Sequence, residues 1–271
     1  MTKDEIRELG WEELLRKAVT EPGLIHEAYS QFHRYSIGNK VLALWQCYTL
    51  EIQPGPLNTY KRWTEMGRQV QKGQKALFLW QPFDGKRKEI DPETGEEVVK
   101  PFRYFKLVPR WFVLSQTEGE DVEFPATSGW DFDQALKGLE ISQVAFDHPD
   151  GNVQGFARPG KQISISPIAK MPVRTAVHEI AHVLHGHVDK SEMIDRPELT
   201  RSLEEAEAEG AALIVLASLG LPGEEFSRGY IQHWWSADNE IPEASARRIF
   251  SVANQILEAG RETINVTENG N

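Results

Sequence analysis

The chain has 271 residues, of which 40% are hydrophobic and 10% aromatic, and this content supplies one large or two ordinary hydrophobic cores rather than a disordered chain. Its single cysteine, Cys47, excludes an intramolecular disulfide and a cysteine-rich metal site, and fits a reducing compartment. The net charge is −11, of which residues 131–271 carry −10 (12 basic, 22 acidic) and residues 1–130 carry −1 (18 basic, 19 acidic).

The charged N-terminal residues lack the apolar stretch of a signal peptide, and no segment approaches the roughly 18 apolar residues that mark a transmembrane helix. We therefore expect a cytoplasmic protein without membrane contact, and a monomer. Residues 34–75 are locally basic, with seven basic and two acidic side chains. Such a segment in an acidic chain is typical of a surface that binds polyanions, although ordinary surface variation also produces one.

Apolar periodicity and turn residues predict the elements of the first half. Its first two helices end at EPG and QPGP, and the second begins at its N-cap, Ser36. A short helix from residue 60 precedes an apolar strand at 76–80 and a returning strand at 103–116. The charged, turn-rich residues 84–100 between these strands are expected to form a projecting hairpin tip or a mobile loop.

The second half follows a polar linker at 118–130 and is predicted to be mainly helical. Its predicted helices cover about 131–138, 170–187, 201–219, 223–236 and 241–260. Two short strands are expected at 141–146 and 161–167, and the latter either presents an edge to an extended peptide or is plain sheet structure. We therefore predict an α+β fold with two domains, 1–125 and 126–271, the first an α/β domain with a β-hairpin or small antiparallel sheet.

The helix at 170–187 contains the motif His-Glu-x-x-His. Positions i and i+4 lie about 6 Å apart on one helix face, so His178 and His182 can bind one metal ion, and Zn2+ is the expected metal. Glu179 lies beside them and is the expected catalytic base, which takes a proton from water. Placing two histidines and a glutamate on a mostly buried helix without partners would be costly, which favours the metal site over a purely structural interpretation.

The next helix is expected to supply the third ligand. Glu205 and Glu209 share a face, and Glu209 abuts the apolar run GAALIVLASLGL, so an inward carboxylate there needs a cation. Glu205 is the expected ligand and Glu209 the residue that orients a ligand histidine, with Glu209 as ligand left open. His185 lies seven residues, about 10 Å of helix rise, beyond His178 and is excluded on reach.

The other polar residues of these two helices have weaker assignments. His185 and His187 are expected to support a ligand from behind or to line the rim of the site, with solvated positions at the helix end as the favoured alternative. Glu204 and Glu207 are assigned to an acidic helix start, which the helix dipole favours.

These motifs resemble known families. The second half resembles the ImmA/IrrE-type zinc metallopeptidases of the gluzincin group, through the helix with residues 178–182 and the helix with residues 205–209. The first half resembles the single-stranded-DNA-binding domain of ArdC-type antirestriction proteins. The stretches that carry this second resemblance are YSIGNKVLALWQ (35–46), W-x-x-x-G-R-x-V-x-K-G (63–73) and WFVLSQT (111–117), with GYIQHWW and the last helix similar to the tail of that family.

The resemblance implies a module that binds single-stranded DNA, fused to a metallopeptidase-like domain on a mobile element, which protects incoming DNA from restriction. It also implies that Glu205 is the metal ligand, in agreement with the spacing. The chain departs from the pattern at Glu209, where related peptidases often carry Asp or Asn, and in the charged segment 84–100, to which the sequence assigns no role.

Basic side chains interleaved with aromatic ones predict the DNA surface, because single-strand binders combine positive charge with stacking platforms. Asn39 and Gln46 share a helix face and are expected to reach bases or phosphates, with capping or packing as the alternative. The expected DNA-binding residues are Ser36, Asn39, Gln46, Lys61, Arg62, Trp63, Arg68, Lys72 and Lys75.

Three functions stay open. The first is an antirestriction protein that binds single-stranded DNA and carries a zinc peptidase site, with a protein substrate such as a restriction enzyme. The second is a zinc endopeptidase whose first half recognises protein, and the third is a DNA-binding protein that zinc only stabilises. For hydrolysis, Tyr230 and His233 are oxyanion-donor candidates by residue type alone, with packing as the alternative.

Overall fold

The structure, a computed structural model, describes residues 6, 8–32, 34–90, 95–124, 129–189, 199–237 and 239–261. They form two compact units. The sheet unit comprises the described residues within 1–8 and 42–124, and the helical unit comprises those within 9–41 and 125–271. Residues 9–41 thus belong to the helical unit, although the predicted first domain, 1–125, includes them.

The helices and strands have the following bounds. The helices are α1 Trp11–Thr20, α2 Leu24–Gln31, α3 Ile37–Thr49, α4 Tyr60–Glu65, α5 Phe132–Leu139, α6 Pro172–His185, α7 Arg201–Leu219, α8 Glu224–Ser236 and α9 Glu243–Ala259. The strands are β1 Leu57–Thr59, β2 Arg68–Val70, β3 Leu77–Ile90, β4 Glu97–Val113, β5 Thr117–Gly119, β6 Ser142–Gln143, β7 Gly155–Arg158 and β8 Gln162–Ile165. Helix α2 and strands β1, β2, β5 and β7 were not predicted.

The first two helices belong to the helical unit because their apolar faces pack against its other helices. Leu14 and Leu15 of α1 are fully buried. At the start of α1 the backbone amides of Trp11 and Glu12 donate to the Glu243 carboxylate at 2.7 and 2.9 Å. This carboxylate satisfies two amides that have no partner within the helix and faces the positive end of the helix dipole.

The sheet unit is built around the hairpin of β3 and β4, with β1 on the other edge of β4 and a separate β2–β5 pair. Of the two alternatives predicted for 84–100, the hairpin agrees with the structure and the mobile loop does not, because β3 and β4 stay paired from Leu77 out to Ile90 and Glu97. Cross-strand ion pairs hold this polar ribbon, with Arg103–Asp84 at 3.0 Å and Lys88–Glu97 at 2.7 Å. A two-stranded ribbon that is exposed to solvent on both faces carries charged residues as a loop does, which explains why the sequence alone left both alternatives open.

Helix α7 is the centre of the helical unit. Its residues 206–218 are buried on every side, and α2, α6, α8 and α9 pack around it. The small sheet has the order β6-β8-β7, with β8 in the middle. The prediction that the β8 segment could offer an edge to a peptide is therefore wrong, because both of its sides are paired.

The α+β fold class is confirmed by this architecture. Among the helices of the described ranges, none combines the length and the apolar character that a membrane crossing requires.

Candidate functional site

Helix α6 carries the His-Glu-x-x-His motif and presents it toward α7. Pro172 is at the first helical position, where its missing amide hydrogen costs nothing. The helix ends at His185, and the following Gly186 adopts the left-handed conformation with φ 79°. Between these ends, Glu179 and His182 are buried, so the motif lies at the interface of α6 with its neighbours rather than in solvent.

The structure brings His178, His182 and Glu205 together. Their ligand atoms are His178 Nε2, His182 Nε2 and Glu205 Oε2, separated by 3.1 Å between the nitrogens and by 3.4 and 3.5 Å from each nitrogen to the oxygen. Four ligands at about 2.0–2.1 Å around a tetrahedral zinc ion lie roughly 3.3 Å apart. The three side chains therefore fit three corners of such a site and leave the fourth corner for water or substrate.

Glu209 lies behind this group. Its Oε1 is 3.4 Å from His178 Nδ1, the ring nitrogen that faces away from the ligand atoms. Arg174, one turn before His178 on α6, makes an ion pair with the same carboxylate oxygen. A carboxylate fixed by a guanidinium is suited to orient an imidazole, which is the place predicted for Glu209. Arg174 was not predicted, because nothing in the motif marks it.

Neighbouring groups stabilise the ionised form of Glu205 and the protonated form of His178. Hydrogen bonds from His178 and His182 hold the pKa of the Glu205 carboxyl well below its usual range, against the opposing effect of burial. Burial lowers the pKa of His178, but its hydrogen bond to Glu205 and the charges of Glu209, Glu179 and Glu205 outweigh it, so the net shift is upward. An excess of negative charge thus faces the histidines, as a cation site requires.

Glu179 is a carboxylate with a raised pKa. Burial is the main cause, and the nearby Glu205 and Glu209 add to it, while the two motif histidines act in the opposite direction. A carboxyl whose pKa is moved toward neutrality is suited to exchange protons with water and with a leaving group. Glu179 therefore has the environment of a general base.

Of the two predicted oxyanion donors, Tyr230 is the one close to the ligand group. Burial and the charges of Glu205 and Glu209 raise the pKa of its hydroxyl, so it stays protonated and able to donate. His233 is exposed on the following turn of α8.

Beside Arg174, a cavity of about 500 Å³ opens, lined in part by Lys170, Met171 and Phe226.

The solvated alternative for His185 and His187 and the solvated position predicted for Glu207 are wrong, because all three side chains are buried. Glu207 Oε2 lies 3.0 Å from His187 Nε2 and 3.4 Å from His185 Nδ1, and His187 Nδ1 lies 2.9 Å from His182 Nδ1. The sequence contains the signal that was missed. Helix α7 is apolar on all faces, which is typical of a fully buried helix, so no glutamate in its interior has a solvated face to occupy.

Two of the predicted DNA-binding residues lie inside the sheet unit. Gln46 is fully buried, and its amide group donates to Phe78 O at 2.8 Å and accepts from Phe78 N at 2.9 Å. Trp63 is also fully buried, and its indole donates to Phe112 O at 2.8 Å. Both predictions are wrong, because these side chains hold the sheet unit together.

Arg68 is likewise committed to the sheet unit. Its guanidinium donates to Thr117 Oγ1 at 2.8 Å and Thr117 O at 3.1 Å, and it reaches the backbone of Gly119 and Glu120. The other predicted residues lie at or near the surface. Lys61, Arg62, Lys72 and Lys75 are exposed in the sheet unit, and the exposed Ser36 and half-buried Asn39 are in the helical unit.

A surface that the prediction missed lies on the β3–β4 hairpin. Phe83, Phe102 and Tyr104 form an aromatic ladder on one face, with ring centroids 5.9 Å apart for Phe83–Tyr104 and 5.5 Å for Phe102–Tyr104. Lys106 Nζ lies above the same rings, 5.1 Å from Tyr104 and 5.7 Å from Phe83. The spacing of Phe102, Tyr104 and Lys106 at every second position was the available signal, once the segment is recognised as paired strands.

Known proteins are similar to this chain in the sequence of its first part and in fold. Residues 8–110 match the family of the N-terminal domain of anti-restriction factor ArdC. The fold is similar to the Mn(II)-bound crystal structure of the antirestriction protein ArdC from the R388 plasmid, which is 20% identical, with 92% of this chain and 97% of that chain covered and a TM-score of 0.53. The metal-free structure of that protein is 22% identical, with 92% and 94% covered and a TM-score of 0.49. The search of curated proteins found no match.

Proposed function

We propose that this chain is an ArdC-type antirestriction protein that binds single-stranded DNA with its sheet unit and carries a zinc-dependent peptidase site in its helical unit. The observation that carries the second part is the near-tetrahedral spacing of His178, His182 and Glu205, between 3.1 and 3.5 Å. The family match of residues 8–110 supports the first part. Such a protein acts in the cytoplasm, where restriction enzymes meet incoming DNA.

The donor set favours zinc. Two imidazoles and one carboxylate with an open position are typical of catalytic zinc sites, whereas manganese prefers more oxygen ligands in octahedral geometry. The Mn(II) bound by ArdC of R388 supports a divalent ion of some kind at this site. When bound, zinc would polarise a peptide carbonyl and make a water molecule more acidic.

The remaining steps belong to the side chains. Glu179, with its raised pKa, takes a proton from the attacking water and returns it to the amide nitrogen as the peptide bond breaks. The Tyr230 hydroxyl donates a hydrogen bond to the oxygen on which negative charge develops. The cavity beside Arg174, with the exposed Phe226 on its wall, would accept an apolar side chain of the protein substrate.

An antirestriction assay with Glu179→Gln tests the peptidase part. Unmodified plasmid DNA is transferred into a restricting host that expresses the wild-type chain, Glu179→Gln or the exposed control Glu225→Gln on α8. We expect Glu179→Gln to keep one zinc per chain and to lose protection, while Glu225→Gln protects like wild type. Full protection by zinc-loaded Glu179→Gln would exclude hydrolysis as the mechanism and would favour the DNA-binding protein that zinc only stabilises.

The aromatic ladder is the observation that supports DNA binding by the sheet unit. Phe83 and Phe102 are 37% and 38% exposed, although burial is the usual place of such rings. Exposed rings with a cation above them suit the stacking of unpaired bases, which contributes roughly 1–3 kcal/mol per base. Lys61, Arg62, Lys72 and Lys75 of the same unit would contact phosphates.

Fluorescence anisotropy with a labelled oligothymidylate tests this part. We expect binding that weakens linearly on a log–log plot against salt concentration. Phe102→Ala should weaken binding about fivefold or more. Phe105→Ala is the matched control, because Phe105 is 41% exposed on the same strand but on the opposite face of the hairpin. Equal losses in both variants would contradict the assignment of the ladder.

A further inference from the structure

The chain Glu207–His187–His182 is a buried path of polar contacts that ends on a ligand of the proposed metal site. Glu207 Oε2 lies 3.0 Å from His187 Nε2, and His187 Nδ1 lies 2.9 Å from His182 Nδ1. Glu207 is completely inaccessible to solvent. A carboxylate in such a place must be hydrogen-bonded or paired, so these contacts are part of what makes its burial tolerable.

The end of helix α6 explains how His187 reaches His182. Gly186 takes the left-handed conformation, His187 N donates to His182 O at 3.0 Å, and Gly186 N donates to Val183 O at 3.0 Å. These two bonds define a Schellman motif, which turns the chain back over the last helical turn. In that motif an apolar contact usually joins the two positions that His187 and His182 occupy here. The turn therefore places the two imidazole rings side by side.

We propose that Glu207 and His187 form a positioning relay that fixes the ring orientation and the tautomer of His182 for metal binding. The proposal rests on the proposed zinc site. His182 presents Nε2 to His178 and Glu205, so a metal ion there uses the Nε2 lone pair and leaves the proton on Nδ1. That proton then points at His187 Nδ1, which must accept it. The remaining proton of the neutral His187 ring is on Nε2 and is donated to Glu207.

The same assignment leaves too few ligands for a second metal ion among the described residues. The ligand atoms of His185, His187 and Glu207 are close enough together to hold a cation. However, His187 Nε2 carries a proton in the relay and has no lone pair to offer. Within the part of the chain that the structure describes, a second ion at this cluster would be left with His185 and Glu207, fewer than the three protein ligands that a zinc site ordinarily uses.

The relay acts through His182, so its test is metal affinity, measured by chelator competition on the full chain. His187→Leu removes the acceptor of the His182 proton, and we expect affinity for zinc to fall roughly 10–100-fold. His187→Asn keeps an oxygen near the position of Nδ1 and should recover part of the loss. Glu204→Gln is the matched control, because Glu204 is a half-buried carboxylate at the start of α7, the helix that carries Glu207. This variant should bind zinc like wild type.

Two further measurements separate positioning from folding. Circular dichroism of the metal-free variants should match wild type, and a long-range proton–nitrogen NMR spectrum of the zinc-loaded protein should show His187 protonated on Nε2 alone. One zinc ion per chain is expected. Unchanged affinity in His187→Leu, a proton on His187 Nδ1, or a second zinc ion that Glu207→Gln removes would overturn the relay. Absence of zinc from wild type would instead overturn the proposed function, and the relay with it.

Discussion

Replacement of Lys40 is expected to stabilise the protein. Lys40 is 2% exposed within the helical unit, with its ammonium 4.3 Å from the ring of Tyr29. Burial lowers the pKa of its side chain to about 8, with a further decrease from the charge of Arg261 and a partial compensation from Glu258. The folded protein therefore holds a charge in a place that disfavours it.

The size of the effect follows from the pKa. A decrease from 10.5 to about 8 corresponds to roughly 3 kcal/mol, at about 1.4 kcal/mol for each pH unit. The cation–π contact with Tyr29, at most about 2 kcal/mol, stabilises the ammonium and is lost on replacement. Lys40→Met keeps the apolar stem of the side chain. The balance predicts a gain in the free energy of unfolding of roughly 1–3 kcal/mol at pH 7.

The pH dependence gives the sharper test. Below about pH 8 the Lys40 side chain is protonated in both folded and unfolded wild type, so the buried charge destabilises the folded state to its full extent. As the pH rises from about 8 to 10.5, the folded state loses the proton first, and wild type gains stability relative to Lys40→Met. The difference in the free energy of unfolding between Lys40→Met and wild type is therefore smaller at higher pH. Urea unfolding followed by circular dichroism at pH 7 and pH 9.5, with chelator present, measures this difference. The control is Lys137→Met on the exposed face of α5. An equal difference at both pH values, or a Lys40→Met protein less stable than wild type at pH 7, would refute the reasoning.

Further outcomes are expected from the same structure. Glu205→Ala should lower zinc affinity by more than the roughly 10–100-fold assigned to a supporting residue, because it removes a ligand, and chelator competition measures this. Gln46→Ala should destabilise the sheet unit by about 1–3 kcal/mol, because the Phe78 backbone loses both of its bonds to the side chain; the half-exposed Tyr48→Ala is the control in urea unfolding. Cys47 is fully buried, and burial raises the pKa of its thiol to about 12, so a thiol reagent should modify it only after denaturant is added. The effects of Glu207→Gln and Glu209→Gln on zinc affinity should add to within about 0.5 kcal/mol, because the two carboxylates support different histidines.

The residues of the proposed metal site could be grouped from the sequence because helical geometry fixes their spacing locally. His178 and His182 are four residues apart on one helix, and Glu205 and Glu209 are four apart on the next. Each pair is brought to one face by the 3.6-residue repeat alone, and only the packing of the two helices had to be assumed. The contacts of residues outside this pattern, such as Arg174, depend on which turn of α6 packs against which turn of α7, and the sequence does not give this.

The predicted DNA-binding residues agree less well with the structure, because residue type does not distinguish an exposed ring that can stack on a base from a ring in the core. Trp63 has the neighbours of a binding residue, Arg62 and Lys61, yet it is fully buried and bonded to the backbone of β4. Phe83 and Phe102 flank the charged segment 84–100, for which a loop was one alternative, yet strand pairing places both rings on one exposed face. Whether a ring is buried depends on the tertiary fold, and the composition of the surrounding segment predicts it poorly.

Helix α7 shows why one short acidic run serves two purposes. Successive residues of a helix are turned by about 100°, so Glu205 and Glu209 point almost the same way while Glu207, between them, points to the opposite side. Glu205 faces the Nε2 atoms of His178 and His182, and Glu209 lies behind His178, at its Nδ1 atom. Glu207 is left to face the end of α6. There the turn at Gly186 supplies His187, which connects that third carboxylate back to His182. Glu205, Glu207 and Glu209 therefore act on both histidines of the proposed site from one helix. Glu207 does so through the ring of His187, which the turn after α6 places beside His182.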